Sequence, residues 1–342
     1  MPNYLPEKKK KIVISRHLLL TLLAGVFAIG ILIGATVSMF TPITAVKSEA
    51  STVRTEGTFR FLRTSPVGNR SNKELTPFKY KIAAQVENAR IRHEASSVSV
   101  YFRDLNTGNR FSIEGAEKFL TKSQWKLPLM IAYFKWAESN PLVLRKTITY
   151  SKNESEAERN HALPVKEINP GKSYTVNDLI YRMIAYDDAA AYALLYANLP
   201  ASQLEKILKD LDVEYDPNKK EESLSLNSYA AFYRVLFNAS YLSEEMSEKA
   251  LRYLSQSTFR GGMASGIPPN IDIVCKHGDF AIAGVEGGEQ QKLYQLYEFG
   301  IVYHQRRPFL LGVQTRGDDV SKMVKVIRDI TRLVYDEIDQ QS

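Results

Sequence analysis

Apolar positions in this chain follow three regimes, and their order lays out the fold before any chemistry is considered. From Leu18 to Phe40 no charged residue interrupts a run of Leu, Ile, Val, Ala and Phe. As a helix that run is long enough to cross about 30 Å of hydrocarbon. Thr41 to Pro77 is polar, with only short apolar pieces such as Phe59-Arg60-Phe61-Leu62, the pattern of a stalk. Beyond it two periods alternate. A helical period covers Phe78 to about His93, Ser97–Phe102 alternates as a strand, and Asn106-Thr107-Gly108 predicts a hairpin turn into Arg110–Ile113. The helical period returns from Leu120 to about Glu138, with Pro128 in the first turns, where its missing N–H costs little. Thr175 followed by Asp178 predicts an N-cap before Leu179–Ile184, and further helices are expected at Ser228–Asn238 and Ser243–Ser255. Strands resume at Ile271–Lys276, Leu296–Tyr303 and Phe309–Thr315, and an amphipathic helix from Val320 to about Ile338 closes the chain.

Strands at both ends of a helical middle predict an α+β fold. The expected packing is one antiparallel sheet of about five strands, with the terminal helices on one face, an all-helical insert on the other, and one transmembrane helix ahead of it. The divisions are residues 1–17, a cytoplasmic basic tail; 18–40, the membrane span; 41–77, an extracytoplasmic stalk; and 78–342, the folded domain. Charge settles the orientation. Lys8, Lys9, Lys10, Lys11 and Arg16 precede the span, so the N-terminus is expected in the cytoplasm and the domain outside the plasma membrane, on a single-pass anchor. The apolar run exceeds the 7–15 residues of a signal-peptide core and no Ala-x-Ala site follows it cleanly, so an uncleaved anchor is expected. Much of the excess of 45 basic over 38 acidic residues sits in this flank, and nucleic acid is not an expected partner. Gly30 and Gly34 form a small-xxx-small pair that chance explains in a Gly-rich span; the oligomeric state stays open. Cys275 is the only cysteine, so no intrachain disulfide forms, and its apolar strand context reads as a buried small hydrophobe.

Candidate chemistry begins at Ser123-Gln124-Trp125-Lys126. A hydroxyl and an amine three residues apart at the start of an apolar helix face the same way, so a neutral Lys126 could take the Ser123 proton and create a nucleophile for acyl chemistry. Alone the spacing is common. Two later stretches accompany it: Met183-Ile184-Ala185-Tyr186-Asp187-Asp188-Ala189 at the start of a helix, and Lys276-His277-Gly278 at the end of a strand. His93, His161, His277 and His304 lack metal-ligand spacing, and no Gly-rich phosphate loop follows a strand, so neither a metal nor a cofactor is expected.

With these three motifs in this order, the region from about Phe78 to the C-terminus resembles the serine β-lactamase and D-alanyl-D-alanine peptidase (penicillin-binding) superfamily, in its class A-like branch. Leu127-Pro128-Leu129-Met130, Tyr101–Gly108 and Gly300-Ile301-Val302-Tyr303 add to the likeness. The resemblance implies that Ser123 is the acyl-forming nucleophile and Lys126 its base or proton relay. It implies oxyanion binding by the Ser123 backbone N–H and a second N–H on the strand after Gly278. Lys276, His277 and Gly278, with Asp188, would bind a substrate carboxylate and pair with the substrate backbone.

The second motif departs from the family's Ser-Asp-Asn. One alignment puts Asp187 on the serine, Asp188 on the aspartate and Ala189 on the asparagine; shifted by one, Tyr186-Asp187-Asp188 replaces the motif directly and Tyr186 turns its phenol into the site. An ionised Asp187 would hold Lys126 protonated, since a carboxylate 4 Å from an ammonium is worth about 4 kcal/mol at an effective dielectric of 20; kept protonated by burial, Asp187 would instead be a catalytic group that relays a proton as an acid. Glu221-Glu222 reads as loop charge rather than a deacylation base. The expected activity is that of a membrane-anchored serine hydrolase acting on β-lactams or D-alanyl-terminated peptidoglycan stem peptides. The alternative is a catalytically impaired binding module of the same fold for wall peptide or a protein partner.

Overall fold

The computed structural model describes residues 59–62, 75–116, 122–151, 163, 166–213, 224–286 and 289–341. The expected tail and span, most of the stalk, His161 and Glu221-Glu222 lie outside them. Among the described residues no helix is long and apolar enough to cross a membrane.

The first regular elements among the described residues are α1 (Leu75–Ile91) and the hairpin β1 (Ser97–Asp104) and β2 (Arg110–Ile113). A 3₁₀ turn, Lys122–Trp125, leads into α2 (Lys126–Ser139). A short pair, β3 (Thr147–Thr149) and β4 (Ser173–Thr175), precedes α3 (Val176–Ala185), α4 (Ala189–Asn198), α5 (Ala201–Asp210), α6 (Leu226–Phe237) and α7 (Glu244–Ser255). Then come β5 (Ile273–Glu286), β6 (Glu289–Val302), β7 (Phe309–Gly317) and the closing helix α8 (Val320–Gln340). The main sheet has five strands in the order β2-β1-β7-β6-β5, every neighbour antiparallel.

Period-two alternation divides this sheet between two cores. Tyr101, Val274, Tyr297, Phe299, Ile301 and Leu310 face the helical insert, against Leu127, Ile131, Ile180, Tyr229 and Tyr233. The alternate residues Val100, Phe102, Leu296, Val302 and Val313 face α1 and α8, against Ile82, Val86, Ile327, Ile330 and Val334. Helix starts are capped by their own sequence: Thr175, Ser225 and Ser243 each accept a backbone N–H three residues on.

Three expectations are corrected. Ser123 lies on a 3₁₀ turn rather than inside an α-helix running from Leu120 to Glu138. Pro128 cannot donate to the carbonyl of Gln124, so the chain enters α2 through the tighter turn. The strands expected at Ile271–Lys276 and Leu296–Tyr303 are the inner parts of a 14-residue hairpin pair, in register from Ile273↔Val302 to Glu286↔Glu289. Its outer part extends past β7, whose pairing with β6 ends at Tyr294↔Gly317.

The third correction concerns the stalk, because Phe59–Leu62 is packed onto the domain. The Glu248 carboxylate accepts the N–H groups of Arg60 and Phe61 at 3.0 and 2.8 Å, and Tyr303 Oη donates to the Phe61 carbonyl at 2.8 Å. Arg60 pairs with both Asp272 oxygens, and the Phe61 ring lies 5.3 Å from Tyr303. Phe61 is buried, and Glu248 retains only 3% of its surface. Replacing Phe61 with alanine should destabilise the domain by about 3 kcal/mol, read as a lowered urea midpoint at unchanged slope. An unchanged midpoint would show that the docked segment adds nothing to the fold.

Candidate active site

Three segments converge where the 3₁₀ turn meets the edge of the sheet. The turn presents Ser123, and Lys126 follows as the first residue of α2. Ser123 and Lys126 are three residues apart across the junction of the turn and α2, a spacing that favours one side for the hydroxyl and the amine. Gln124, fully buried, anchors the turn by accepting the Leu224 N–H at 3.0 Å. On the sheet side, β5 is the edge strand and carries Lys276, His277 and Gly278. Ser123 packs directly on Gly278: a Cβ added there would sit 2.5 Å from the Ser123 Cβ. Glycine is the residue that lets the turn and the strand approach this closely.

The third segment is the elbow between α3 and α4. Tyr186 caps the end of α3, and Asp188 caps the start of α4, accepting the Ala191 N–H at 2.9 Å. Asp187 stands between them at φ +58°, a left-handed conformation that Asp and Asn tolerate better than most residues. This twist turns both its carbonyl and its carboxylate inward. Lys126 Nζ donates to Asp187 O at 2.9 Å and to Oδ1 at 2.8 Å. Lys276 Nζ donates to the same Oδ1 and to its neighbour's carbonyl, His277 O, at 2.7 Å. His277 Nε2 lies 3.9 Å from Asp187 Oδ2, and its ring packs 4.5 Å from Phe259.

All of these groups are withdrawn from solvent, so their charges act at short range and with little screening. At 2.8 Å one ion pair is worth about 6 kcal/mol of gross attraction at an effective dielectric of 20, set against the loss of hydration for each ion. Burial by itself pushes the Asp187 carboxyl up, but the Lys126 and Lys276 ammonium groups outweigh it and hold the carboxyl well below the usual carboxylate range. Burial lowers the Lys276 ammonium against the pull of Asp187, and the second ammonium, Lys126, adds to the lowering. His277 falls to about 3, through burial and the charge of Lys276, and is neutral. Asp188 rises to about 6 because it is buried.

The structure therefore brings Ser123, Lys126, Asp187, Lys276 and Gly278 into one cluster, with His277 at its margin and Asp188 behind it as a helix cap. Tyr186 is placed differently: its ring meets Tyr181 at 5.4 Å and the ammonium of Lys166 at 4.8 Å. Among the described residues no group of three His, Cys, Asp or Glu is arranged to hold a metal.

Glu298 escaped the sequence reading. It stands across from His277 in the β5–β6 register, fully buried, with Oε2 accepting the Met263 N–H at 2.8 Å. A Cβ on Gly262 would collide with that oxygen. The available signal was its position: Glu298 is two residues from Leu296, on a strand face that period two assigns to the core.

Solved structures share this arrangement of elements. A structure of PBP-A aligns over 81% of this chain and 100% of its own, at 17% identity and a TM-score of 0.65. A β-lactamase from Xanthomonas campestris pv. campestris aligns over 75% and 97%, at 16% identity and 0.61, and one from Sphaerobacter thermophilus over 75% and 95%, at 18% and 0.62. No protein with a curated description matches the chain. The fold is thus that of β-lactamases and penicillin-binding proteins. Residues 81–338 match the β-lactamase enzyme family, and the chain belongs to that family of serine hydrolases.

Glu298 gives the site region a testable pH signature. Burial raises its carboxyl from an ordinary 4.5 to about 7, so on raising the pH the unfolded chain releases this proton first. The stability this group contributes is complete below about pH 4.5 and falls until about pH 7, by about 3 kcal/mol. Urea denaturation at pH 4.5 and 7.5 should show that loss in the native protein relative to Glu298→Gln, in which it disappears. Equal pH dependence in the two proteins would disprove the assignment.

Proposed function

We propose that the chain forms an acyl-enzyme on Ser123, with a β-lactam or a D-alanyl-terminated wall peptide as acyl donor, on the outer side of the plasma membrane. One observation carries this reading: Ser123 is held against the Gly278 edge of β5 beside two lysines that share a single buried carboxylate oxygen.

The chemistry follows from charge. With both amines protonated, Lys126, Lys276 and Asp187 together carry one excess positive charge in a buried place, so loss of one ammonium proton leaves a neutral cluster. An amine in that state accepts the Ser123 proton as Oγ attacks the acyl carbonyl. The proton then passes to the leaving nitrogen as the C–N bond breaks, and the amine regains its starting state. Asp187 holds both amines on one oxygen and favours the return of the proton. Because β5 is the edge strand, no further strand among the described residues takes its outward backbone groups; these supply the pairing edge for an extended substrate and an oxyanion donor beside the Ser123 N–H. One structure of similar fold, a PBP-A variant aligned at 18% identity, is an acyl-enzyme complex with penicillin G.

Exposure of the full chain in detergent to a reactive penicillin should add the mass of the intact drug to a peptide containing Ser123, and Ser123→Ala should abolish the adduct. A protein that never labels, yet binds the drug equally well with and without the Ser123 hydroxyl, would replace this reading with that of a binding module.

The run Leu18–Phe40 and its lysine flank support a membrane anchor with the domain outside. A reporter fused after Ser342 should be active outside the cytoplasm, and the full-length protein should resist alkaline extraction from membranes. A soluble mature form beginning after residue 45 would refute the uncleaved anchor.

A further inference from the structure

Three arginines gather at the edge of the sheet opposite the candidate active site. Strand β5 forms one edge and β2 the other. At the second edge Arg103 of β1 and Arg110 of β2 stand directly opposite each other in the antiparallel register. Alternation puts both on the insert side, because Tyr101, two residues before Arg103, belongs to that core, whereas Phe111, next to Arg110, packs on the other. Helix α6 packs against β1 on the same side and brings Arg234, the one charged residue in Leu226–Phe237. The charges act on one another. Burial lowers the Arg234 guanidinium, and Arg103 and Arg110 add to the lowering, while Tyr101 opposes it.

Among the described residues none of the three arginines forms an ion pair or a side-chain hydrogen bond. The nearest acids in sequence and packing are engaged elsewhere. Asp104 faces the other side of β1, where Arg307 donates to Oδ2 at 3.1 and 2.9 Å and the N–H groups of Asn106 and Thr107 donate to Oδ1. Glu114, just past β2, pairs with Arg90, and on α7 Glu248 holds the backbone of Arg60 and Phe61. Like charges directly opposed across two strands weaken the pairing, and arginines withdrawn from water normally have partners. The arrangement therefore works against the fold until an anion joins it. Access is open: Arg110 is exposed, and Arg103 and Arg234 are half-buried.

We propose that Arg103, Arg110 and Arg234 form a binding site for the phosphate group of a phosphate monoester, separate from the Ser123 site. Such a group carries nearly two negative charges at neutral pH and three terminal acceptor oxygens. Each guanidinium is a planar fork of N–H donors suited to those oxygens, so three forks can share one phosphate. A carboxylate or a phosphodiester offers a single charge and two terminal oxygens, a poorer match to three cations.

The test is a calorimetric titration of the full-length protein in non-ionic, phosphate-free detergent solution. Glycerol 3-phosphate is the monoester, glycerophosphoglycerol the diester and acetate the carboxylate, all at matched ionic strength. The monoester should bind at least about tenfold more tightly than either of the others. Arg110→Gln leaves no hole in the core and should weaken monoester binding about tenfold or more. Because it removes one of two opposed charges, its phosphate-free urea midpoint should be unchanged or raised. Monoester binding no tighter than that of the diester or acetate, equal monoester binding by Arg110→Gln, or a phosphate-free midpoint that falls in that variant overturns the proposal.

Discussion

A single carboxylate oxygen ties this site together. Asp187 Oδ1 joins the first residue of α2, the elbow between α3 and α4, and the edge strand β5. None of those segments is adjacent to another in sequence. A buried ion cluster of this kind contributes little net stability compared with an apolar replacement, but removing one member strands the others and costs several kcal/mol. Its effect is therefore on geometry: it fixes where two amines stand relative to Ser123. The left-handed turn at Asp187 is the local cost of aiming both its carbonyl and its carboxylate at Lys126.

The sheet serves the same end. Because β5 ends the strand order, its Lys276-His277-Gly278 stretch is backed by β6 on one side and open to the elbow and the 3₁₀ turn on the other. Alternation then sorts the motif by face. Lys276 and Gly278 join the insert side with Ser123, while His277 falls in the row with Glu298 and Val313. A tripeptide thus divides its labour by period alone.

Much of this was legible in the chain. Period-two and period-3.6 stretches gave the five strands of the sheet, the terminal helices and the insert, since each of those elements buries one face and must show it in sequence. The outer part of the β5–β6 hairpin escaped because pairs beyond β7 need no core-facing row, and Glu286, Glu289, Gln290 and Gln291 show none. The hydroxyl, the two lysines and the glycine were readable from spacing and order. Which of Tyr186 and Asp187 faces the lysines was not, for it depends on one backbone angle that the surrounding helices impose. Phe61 was unreadable for a different reason. A lone aromatic in a polar stretch carries no period, and its carboxylate partner lies 187 residues away.

That docked segment bears on where the domain begins. The family match starts at residue 81, well after Phe61, so a fragment trimmed to the family limits would discard Phe59–Leu62. Glu248 would lose both backbone donors, and the aromatic face of Tyr303 and Phe237 would open to water. The packed domain thus reaches further than its family signature, and the extra length adds Phe61 to the hydrophobic core from a stretch that the sequence presents as tether.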